Sequence, residues 1–382
     1  MSGGVDSSLA AFLLKEQGLE VIGATMCIGV ADRSPGGPAR CCGPEDVEDA
    51  RRVALELGIP FCVVDVKEEF DRDVIQYFCR EYMQGKTPNP CIPCNEKVKF
   101  RSFLKRAVQF GAEYIATGHY ARLVFDEGTK RFLLKKGVDQ RKDQSYVLFG
   151  LNQEQLSHVL FPLGGYRKEE VRDKAREIGL RVHSKPESQE ICFIRDGSYH
   201  GFLSERLDEA IRPGAIKDRE GRVLGRHHGI PFYTIGQRGG LGLAKGKPLY
   251  VIEIDPEENA IIVGEERETY EGRFVIDSIR WVDGSEPGFP LKVQVKIRYN
   301  HPGADAVVVP KEKGELEVKF ETPQKAITPG QAAVFYNEET VLGGGRVQKV
   351  IRTSGARLQT NKAEGQSSKN KLSFSSAFKS GV

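Results

Sequence analysis

The sequence predicts an α/β protein over its first two hundred residues, followed by two smaller β-rich domains. Three observations carry that prediction. Short apolar runs alternate with segments of helical periodicity through the first half of the chain, the pattern of a parallel sheet with helices on its faces. A loop of small residues, "SGGVDSS" at 2–8, stands directly ahead of the first helical segment. Near residue 200 the helical spacing gives way to short strands punctuated by Gly and Pro.

In chain order, "DSSLAAFLLKEQ" (6–17) has apolar positions at helical spacing and stops at Gly18. "LEVIGATMCIG" reads as a buried strand, and "PEDVEDARRVALELG" (44–58) as a helix ended by Gly58. "IPFCVVDV" is a second strand and "EEFDRDVIQYFCREYMQG" a helix. A cysteine loop, "TPNPCIPC", precedes a helix over 95–111; "AEYIATGHYARL" is then a strand and "KEEVRDKAREIG" (168–179) a helix. Further on, "LGRHHGIPFYTIGQRGGLGL" and "PLYVIEIDPEENAIIVGEERE" are strand-like, with a hairpin turn at Asp255, Pro256 and Glu257. From 272, "FVIDSIRWVDG", "LKVQVKIRYN", "GADAVVVP", "LEVKFE" and "AAVFYNEETVLGGGRVQ" form a chain of short strands, as in a small barrel or sandwich. The expected domains are 1–200, 201–271 and 272–352, with a tail over 353–382.

Apolar residues make up 39% and charged residues 29% of the 382, which suits a water-exposed globular chain, and no apolar run is long enough to cross a bilayer. The expected location is the cytoplasm. The formal net charge is +3. In the tail, Arg357, Lys362, Lys369, Lys371 and Lys379 stand against Glu364 alone, so the remainder is close to neutral. Contact with nucleic acid must therefore come from local patches, not from a global field. The tail, rich in Ser, Lys, Gly and Asn, is read as a disordered, solubilising extension.

Eight cysteines stand at 27, 41, 42, 62, 79, 91, 94 and 192. With no signal peptide in view, a disulfide framework is not expected. Cys62 and Cys79 lie in apolar runs and read as buried packing residues; Cys41 and Cys42 read as loop punctuation. Cys91 and Cys94 form a CxxC, which can be a redox pair, half of a metal site, a sulfur carrier or an accident of spacing.

In "SGGVDSS" the glycines let backbone N–H groups approach phosphate oxygens, and the following helix adds positive potential. Ser2, Ser7 and Ser8 offer hydroxyls. Asp6 would repel phosphate unless it held Mg2+. No Gly-Lys-Ser/Thr follows, so this is not a Walker A loop; a loop without lysine suggests that pyrophosphate, not the γ-phosphate, leaves. Such a loop normally follows a strand, and only Met1 precedes this one. The expectation is a misassigned or shortened start, which also hides any upstream targeting segment.

"SGGVDSS" is similar to the signature of the PP-loop ATP pyrophosphatases. "PEDVEDARRVA", "TPNP" with "CN" four residues on, "ATGHYAR", "GVDQRKDQSYVL", "PESQEICFI", "YTIGQRGGLG", "KIRYNHP" and "TPGQAAVFY" follow in order. Together they resemble the tRNA-specific 2-thiouridylase family, over about residues 1 to 346. The resemblance implies a PP-loop domain of the adenine nucleotide alpha hydrolase type, a small β-rich domain and a C-terminal β-barrel. It implies ATP-dependent replacement of O2 by sulfur in the wobble uridine of tRNAs for Lys, Glu and Gln. AMP is transferred to the C2 carbonyl, pyrophosphate departs, and a sulfur nucleophile expels AMP. ATP, Mg2+, tRNA and a sulfur donor or relay protein are the implied ligands and partners.

Residue by residue, the resemblance assigns Ser2, Gly3, Gly4, Val5, Asp6, Ser7, Ser8, Met26 and Gly118 to ATP. Cys192 would carry a persulfide, and Cys94 would release it by forming a disulfide. Asn89, Pro90 and Cys91 would lie at the target base, and His119, Lys142, Asp143, Gln144, Arg298, Tyr299 and Gln331 elsewhere on the tRNA. "KIRYNH", read as a strand of alternating basic and aromatic residues, is the best of these on physical grounds. The chain departs from the family pattern at Cys91, where aspartate is common. Cys91, Cys94 and Cys192 thereby also match the three-cysteine set with which other PP-loop tRNA thiolases hold a [4Fe–4S] cluster. Persulfide and cluster chemistry both remain open at this point. Two other functions share part of the pattern. Another PP-loop ligase would need the loop but neither Cys94 nor Cys192. An inactive RNA-binding remnant would account for the absent first strand.

Overall fold

The computed structural model describes residues 1–29, 44–186, 191–194, 198–207, 210–243 and 246–352. Cys41, Cys42 and the tail lie outside the described residues.

The loop leads into helix α1 (Val5–Glu16), whose Val5, Leu9, Ala10 and Leu13 are buried. Strand β1 (Gly23–Cys27) pairs in parallel with β2 (Phe61–Asp65), with α2 (Pro44–Glu56) between them in sequence. A second parallel pair, β3 (Ile115–Ala116) with β6 (Val159–Leu160), stands apart from the first. The single parallel sheet expected from the sequence is therefore two pairs, and among the described residues no strand joins them. Met1 lies alongside β1: its amino group donates to Ala24 O, and Thr25 Oγ1 donates to Met1 O at 2.7 Å.

Two long helices run through π-helical stretches. One is built from Lys67–Phe70, Asp71–Ile75 and Gln76–Met83. The other is built from Cys91–Pro93, Cys94–Phe103 and Leu104–Gln109. The second begins four residues before the start read from the sequence. Proline is tolerated in a first helical turn, so Pro93 does not interrupt it. The CxxC is thus the first turn of the helix and not a loop ahead of it.

"AEYIATGHYARL" is not one strand. β3 ends at Ala116, and β4 (Ala121–Asp126) turns away to form a hairpin with β5 (Arg131–Lys136). In the middle of the chain, β7 (Gly214–Lys217), β8 (Val223–His227), β9 (Tyr250–Asp255) and β10 (Ala260–Gly264) form a sheet in the order β8-β7-β10-β9. Asp255 Oδ1 accepts from Glu257 N and Glu258 N, which closes the expected turn.

The last segment is a closed barrel. β11 (Tyr270–Trp281), β12 (Leu291–Lys296), β13 (Ala304–Pro310), β14 (Leu316–Lys325), β15 (Ala332–Asn337) and β16 (Thr340–Ile351) pair in the order β11-β14-β13-β12-β15-β16, and β16 returns to β11. Closure leaves no exposed sheet edge. Phe274, Ile276, Val295, Val308, Val318 and Phe335 fill its interior. The β4–β5 hairpin extends this sheet through Thr340, opposite Lys135. β12 ends at Lys296, so Arg298, Tyr299 and Asn300 lie in a turn, closed by His301 N donating to Arg298 O at 3.0 Å, and not in the strand expected. Cys79 is buried as expected; Cys62, on β2, is exposed.

Candidate active site

The phosphate loop ends in an uncapped helix. Gly4 is the N-cap of α1, with φ −101° and ψ 162°, and no side chain caps the first turn. The first intrahelical bond is Ser8 N to Gly4 O, so the amides before it point outward without helical partners. Gly3 has φ +68°, a conformation that favours glycine, and its Cα faces the carbonyl of Asp46 on α2 so closely that no side chain fits. Ser8 is buried and donates its hydroxyl to Gly4 O at 2.9 Å, which removes it from the ligand-facing set. Ser7 also donates to Gly4 O, and its Oγ accepts from Ser2 N at 3.1 Å.

Asp6 is already engaged. Lys168 Nζ donates to both of its carboxylate oxygens at 2.7 Å, and Tyr120 OH donates to Oδ1 at 2.7 Å. Lys168 is buried at the start of the helix Lys168–Glu177, and its backbone N–H donates to Asp139 Oδ2. Neither Lys168 nor Tyr120 stood out in the sequence. Gly118 packs on the loop: a Cβ there would sit 2.8 Å from Asp6 Cβ and 2.9 Å from Ser7 N. Met26, half-buried on β1, rests against the apolar cluster that contains Cys94 and Phe193.

The three singled-out cysteines converge. Asn89 Oδ1 accepts from Cys91 N at 3.0 Å, and Pro90 O from Cys94 N at 3.2 Å, which sets the first turn of the helix. Cys94 is buried and Cys91 exposed. Cys192 is not in a strand. It sits in a turn closed by Ile194 N donating to Ile191 O at 2.8 Å, with Phe193 and Ile194 anchored in the core; the residue has an exposed surface, but protein atoms crowd round the thiol. Phe193 makes edge contacts with Phe70 and Phe78.

Their ionisation places the three sulfurs in one field. Burial pushes the Cys192 thiol up to about 12, and the charges of Cys94 and Cys91 add to the rise. Burial also raises Cys94 and Cys91, with Lys99 opposing in both. His119 is buried against Phe100 and Phe161, with Nδ1 2.7 Å from Thr117 Oγ1; burial holds it neutral, well below the usual imidazole range. Among the described residues, no three Cys, His, Asp or Glu side chains gather closely enough to hold a metal ion. The three cysteines sense one another without forming a cluster cage.

Three family models match the chain in series: a tRNA methyl transferase HUP domain over 1–196, a tRNA methyl transferase PRC-barrel domain over 200–265 and an aminomethyltransferase beta-barrel domain over 271–347. The tRNA-specific 2-thiouridylase MnmA of Acetivibrio thermocellus is 50% identical over 91% of this chain and 98% of its own length. That of Heliobacterium modesticaldum is 50% identical over 91% of each chain, and that of Desulforamulus reducens 49% identical over 92% of this chain and 96% of its own. The chain belongs to the tRNA-specific 2-thiouridylase MnmA family. Its architecture is accordingly a HUP domain, a PRC-barrel-like middle and a closed C-terminal barrel.

Within this MnmA-family fold, Lys142, Gln144, Arg298, Tyr299 and Gln331, among the residues assigned to tRNA, are at least partly open to solvent. Arg298 Nη1 donates to Lys325 O, and Tyr299 meets Tyr146 edge-on. Asp143 is buried, accepts from Gly137 N, Ser145 N and Ser145 Oγ, and stands 3.6 Å from Lys296 Nζ. Gln144 Oε1 accepts from Tyr120 N. Gln331 Nε2 donates to Thr87 O at 2.7 Å, which ties the barrel to the cysteine loop.

Proposed function

We propose that the chain is an ATP-dependent tRNA-uridine 2-sulfurtransferase that thiolates the wobble uridine of tRNAs for Lys, Glu and Gln in the cytoplasm. The observation that carries this reading is that Cys94 and Cys192, distant in sequence, come close enough to feel each other's charge, in a member of the MnmA family whose helix N-terminus carries no side-chain cap. The division of labour follows 1–200 for catalysis and 201–271 and 272–352 for holding the tRNA.

The bare amides of α1 and Gly3–Gly4 hold the phosphates of ATP. Asp6 is suited to Mg2+, with Lys168 standing in for that cation in the free protein. Met26 faces the adenine, and Gly118 keeps the loop in place. The C2 carbonyl oxygen of the uridine attacks the α-phosphate, and the bond to pyrophosphate breaks. The terminal sulfur of a Cys192 persulfide, supplied by a donor or relay protein, then bonds to C2 while the C2–O bond breaks and AMP leaves. Cys94 attacks Cys192 Sγ; the sulfur–sulfur electron pair stays with the transferred sulfur, leaving 2-thiouridine and a Cys94–Cys192 disulfide. An external dithiol resets it. Asn89, Pro90 and Cys91 flank the base. Cys91 and the first helical turn require no iron in this sequence of steps.

The test uses the full chain with ATP, Mg2+, a tRNA transcript bearing U34, and a polysulfide, which brings sulfur at the persulfide oxidation level, as donor. Thiolated tRNA, retarded in a mercury-containing gel, should form with one AMP per sulfur. Cys192→Ser and Cys94→Ser should each abolish turnover, whereas Cys91→Ser should retain it. Turnover that survives Cys192→Ser, or that requires about four irons per chain lost in Cys91→Ser, would sink this route.

A further inference from the structure

Lys99 lies five residues after Cys94, inside the π-helical stretch Cys94–Phe103. In π geometry the backbone bonds run from i to i+5, so these two side chains stand one turn apart on a shared face. In an α-helix five residues would carry Lys99 about 140° round the axis, away from the cysteine. The π register therefore aims Lys99 over the sulfur site.

Three further observations locate it. Lys99 is the cation whose charge bears on Cys91, Cys94, Cys192 and His119 alike. Next to His119, Gly118 touches Asp6 and Ser7 of the phosphate loop. The charge of Lys99 therefore reaches both the sulfurs and His119, whose neighbour Gly118 packs on the phosphate loop. The neighbouring cations are already neutralised, Lys168 by Asp6 and Lys185 by Asp46 and Asp49. Among the described residues no carboxylate forms an ion pair with Lys99, although it is half-buried. A cation drawn partly out of water without a counter-charge is costly, and an arriving anion offsets that cost.

We propose that Lys99 is a catalytic residue: its ammonium contacts the α-phosphate of the adenylated uridine and carries the charge that collects there as AMP leaves. The bookkeeping of that step is simple. The adenylated base holds a phosphodiester with one negative charge. Sulfur bonds to C2, the C2–O electron pair departs with the phosphate, and AMP leaves with a second charge. A fixed cation at that oxygen lowers the barrier because it binds the transition state more tightly than the ground state. The inference rests on the thiolation proposed above.

The experiment compares the full wild-type chain with Lys99→Met, Lys99→Arg and Lys99→Ala, using ATP, the U34 transcript and a polysulfide donor. Loss of one such electrostatic contact lowers kcat by about 100-fold or more. Lys99→Met should show that fall, with KM for ATP and tRNA within about threefold of wild type. Lys99→Arg should keep part of the rate, and methylammonium should restore rate to Lys99→Ala, which a merely structural lysine would not permit. Thermal melts of all three confirm that folded protein is compared; if Lys99→Met does not fold, the amine rescue of Lys99→Ala decides. An active wild type with unimpaired Lys99→Met, or a loss confined to KM, or no amine rescue in folded Lys99→Ala, overturns the inference alone. A wild-type chain that does not thiolate overturns the thiolation reading and this inference together.

Discussion

At the scale of single residues, the chemistry depends on groups held away from their solution behaviour. The Cys192 thiol, pushed up to about 12 chiefly by burial, is neutral at pH 7. A raised thiol value favours the protonated form, so nucleophilic thiolate appears only at high pH. Alkylation of Cys192 by iodoacetamide should therefore rise about tenfold per pH unit from 7 to 11 without a plateau, read by mass spectrometry of its peptide. A plateau near pH 8.5 would show a thiol at its ordinary value. On the proposed route this resting inertness would protect the unloaded cysteine, whereas a persulfide, more acidic than a thiol, would be ionised. Asp6 makes a parallel case. Its partner Lys168 is 9% exposed, while Asp6 itself is 33% exposed. Breaking a fully buried pair costs about 3–5 kcal/mol, so Lys168→Met should destabilise the chain by about 2 kcal/mol once solvent screening at Asp6 is discounted. Urea titration measures it; a change below about 0.5 kcal/mol would mean that water already screens the pair.

At the scale of elements, Gly118 shows how a turn can serve a site. A Cβ there meets Asp6 Cβ and the backbone of Asp6 and Ser7, none of which is the free end of a flexible side chain. Gly118→Ala should push the loop off its seat, costing about 1–3 kcal/mol of stability and raising KM for ATP more than KM for tRNA. Unchanged melting and KM values would reduce Gly118 to an ordinary turn residue. That contact also explains what the sequence could and could not disclose. Helix α1 was legible because Leu9, Ala10 and Leu13 repeat at local spacing, and β11 to β16 were legible because their alternation is local too. "AEYIATGHYARL" reads as one strand because nothing in those residues reports that Gly118 abuts a loop more than a hundred positions earlier. The β4–β5 hairpin went unread for a similar reason: its sheet partner, Thr340, is some two hundred residues away. Of the site, the loop and the three cysteines were legible as motifs. Lys168 was not, since only the fold brings it to Asp6. Lys99 was not, since its aim depends on a π register that no residue-type preference announces.

At the scale of the whole molecule, the α/β segment and the barrel, which composition separates, share one interior. Phe100, Leu104, Tyr146 and Leu148 from the α/β segment pack in the same cluster as Ala332, Val334, Tyr336 and Val341 from the barrel. Tyr146 OH donates to Ala332 O at 2.9 Å, and Ser145 Oγ lies 3.2 Å from Tyr336 OH. Arg346 reaches from β16 to Glu81 and Asp277. Thr87 N donates to Pro329 O, and Gly330, with φ +91°, lies so close to Lys86 and Thr87 that a side chain there would press on the cysteine loop. Met1 to Ile351 accordingly form one compact unit. A barrel that shares its core with the catalytic segment cannot melt first without exposing Tyr146 and Leu148, so unfolding should be a single cooperative transition despite the chain's length. The protein carries its own reporter, since its one tryptophan, Trp281, packs on Phe335 in the barrel, while most helical signal comes from the α/β segment. Trp281 fluorescence and circular dichroism at 222 nm should therefore give coincident melting curves. A barrel transition separated from helix loss by more than about 5 °C would show that the shared cluster contributes less than the few kcal/mol needed to couple them. The physical consequence of coincidence is functional: a tRNA bound across the barrel would bear on the same rigid body that holds Cys91 and Cys94, through the Gln331–Thr87 bond.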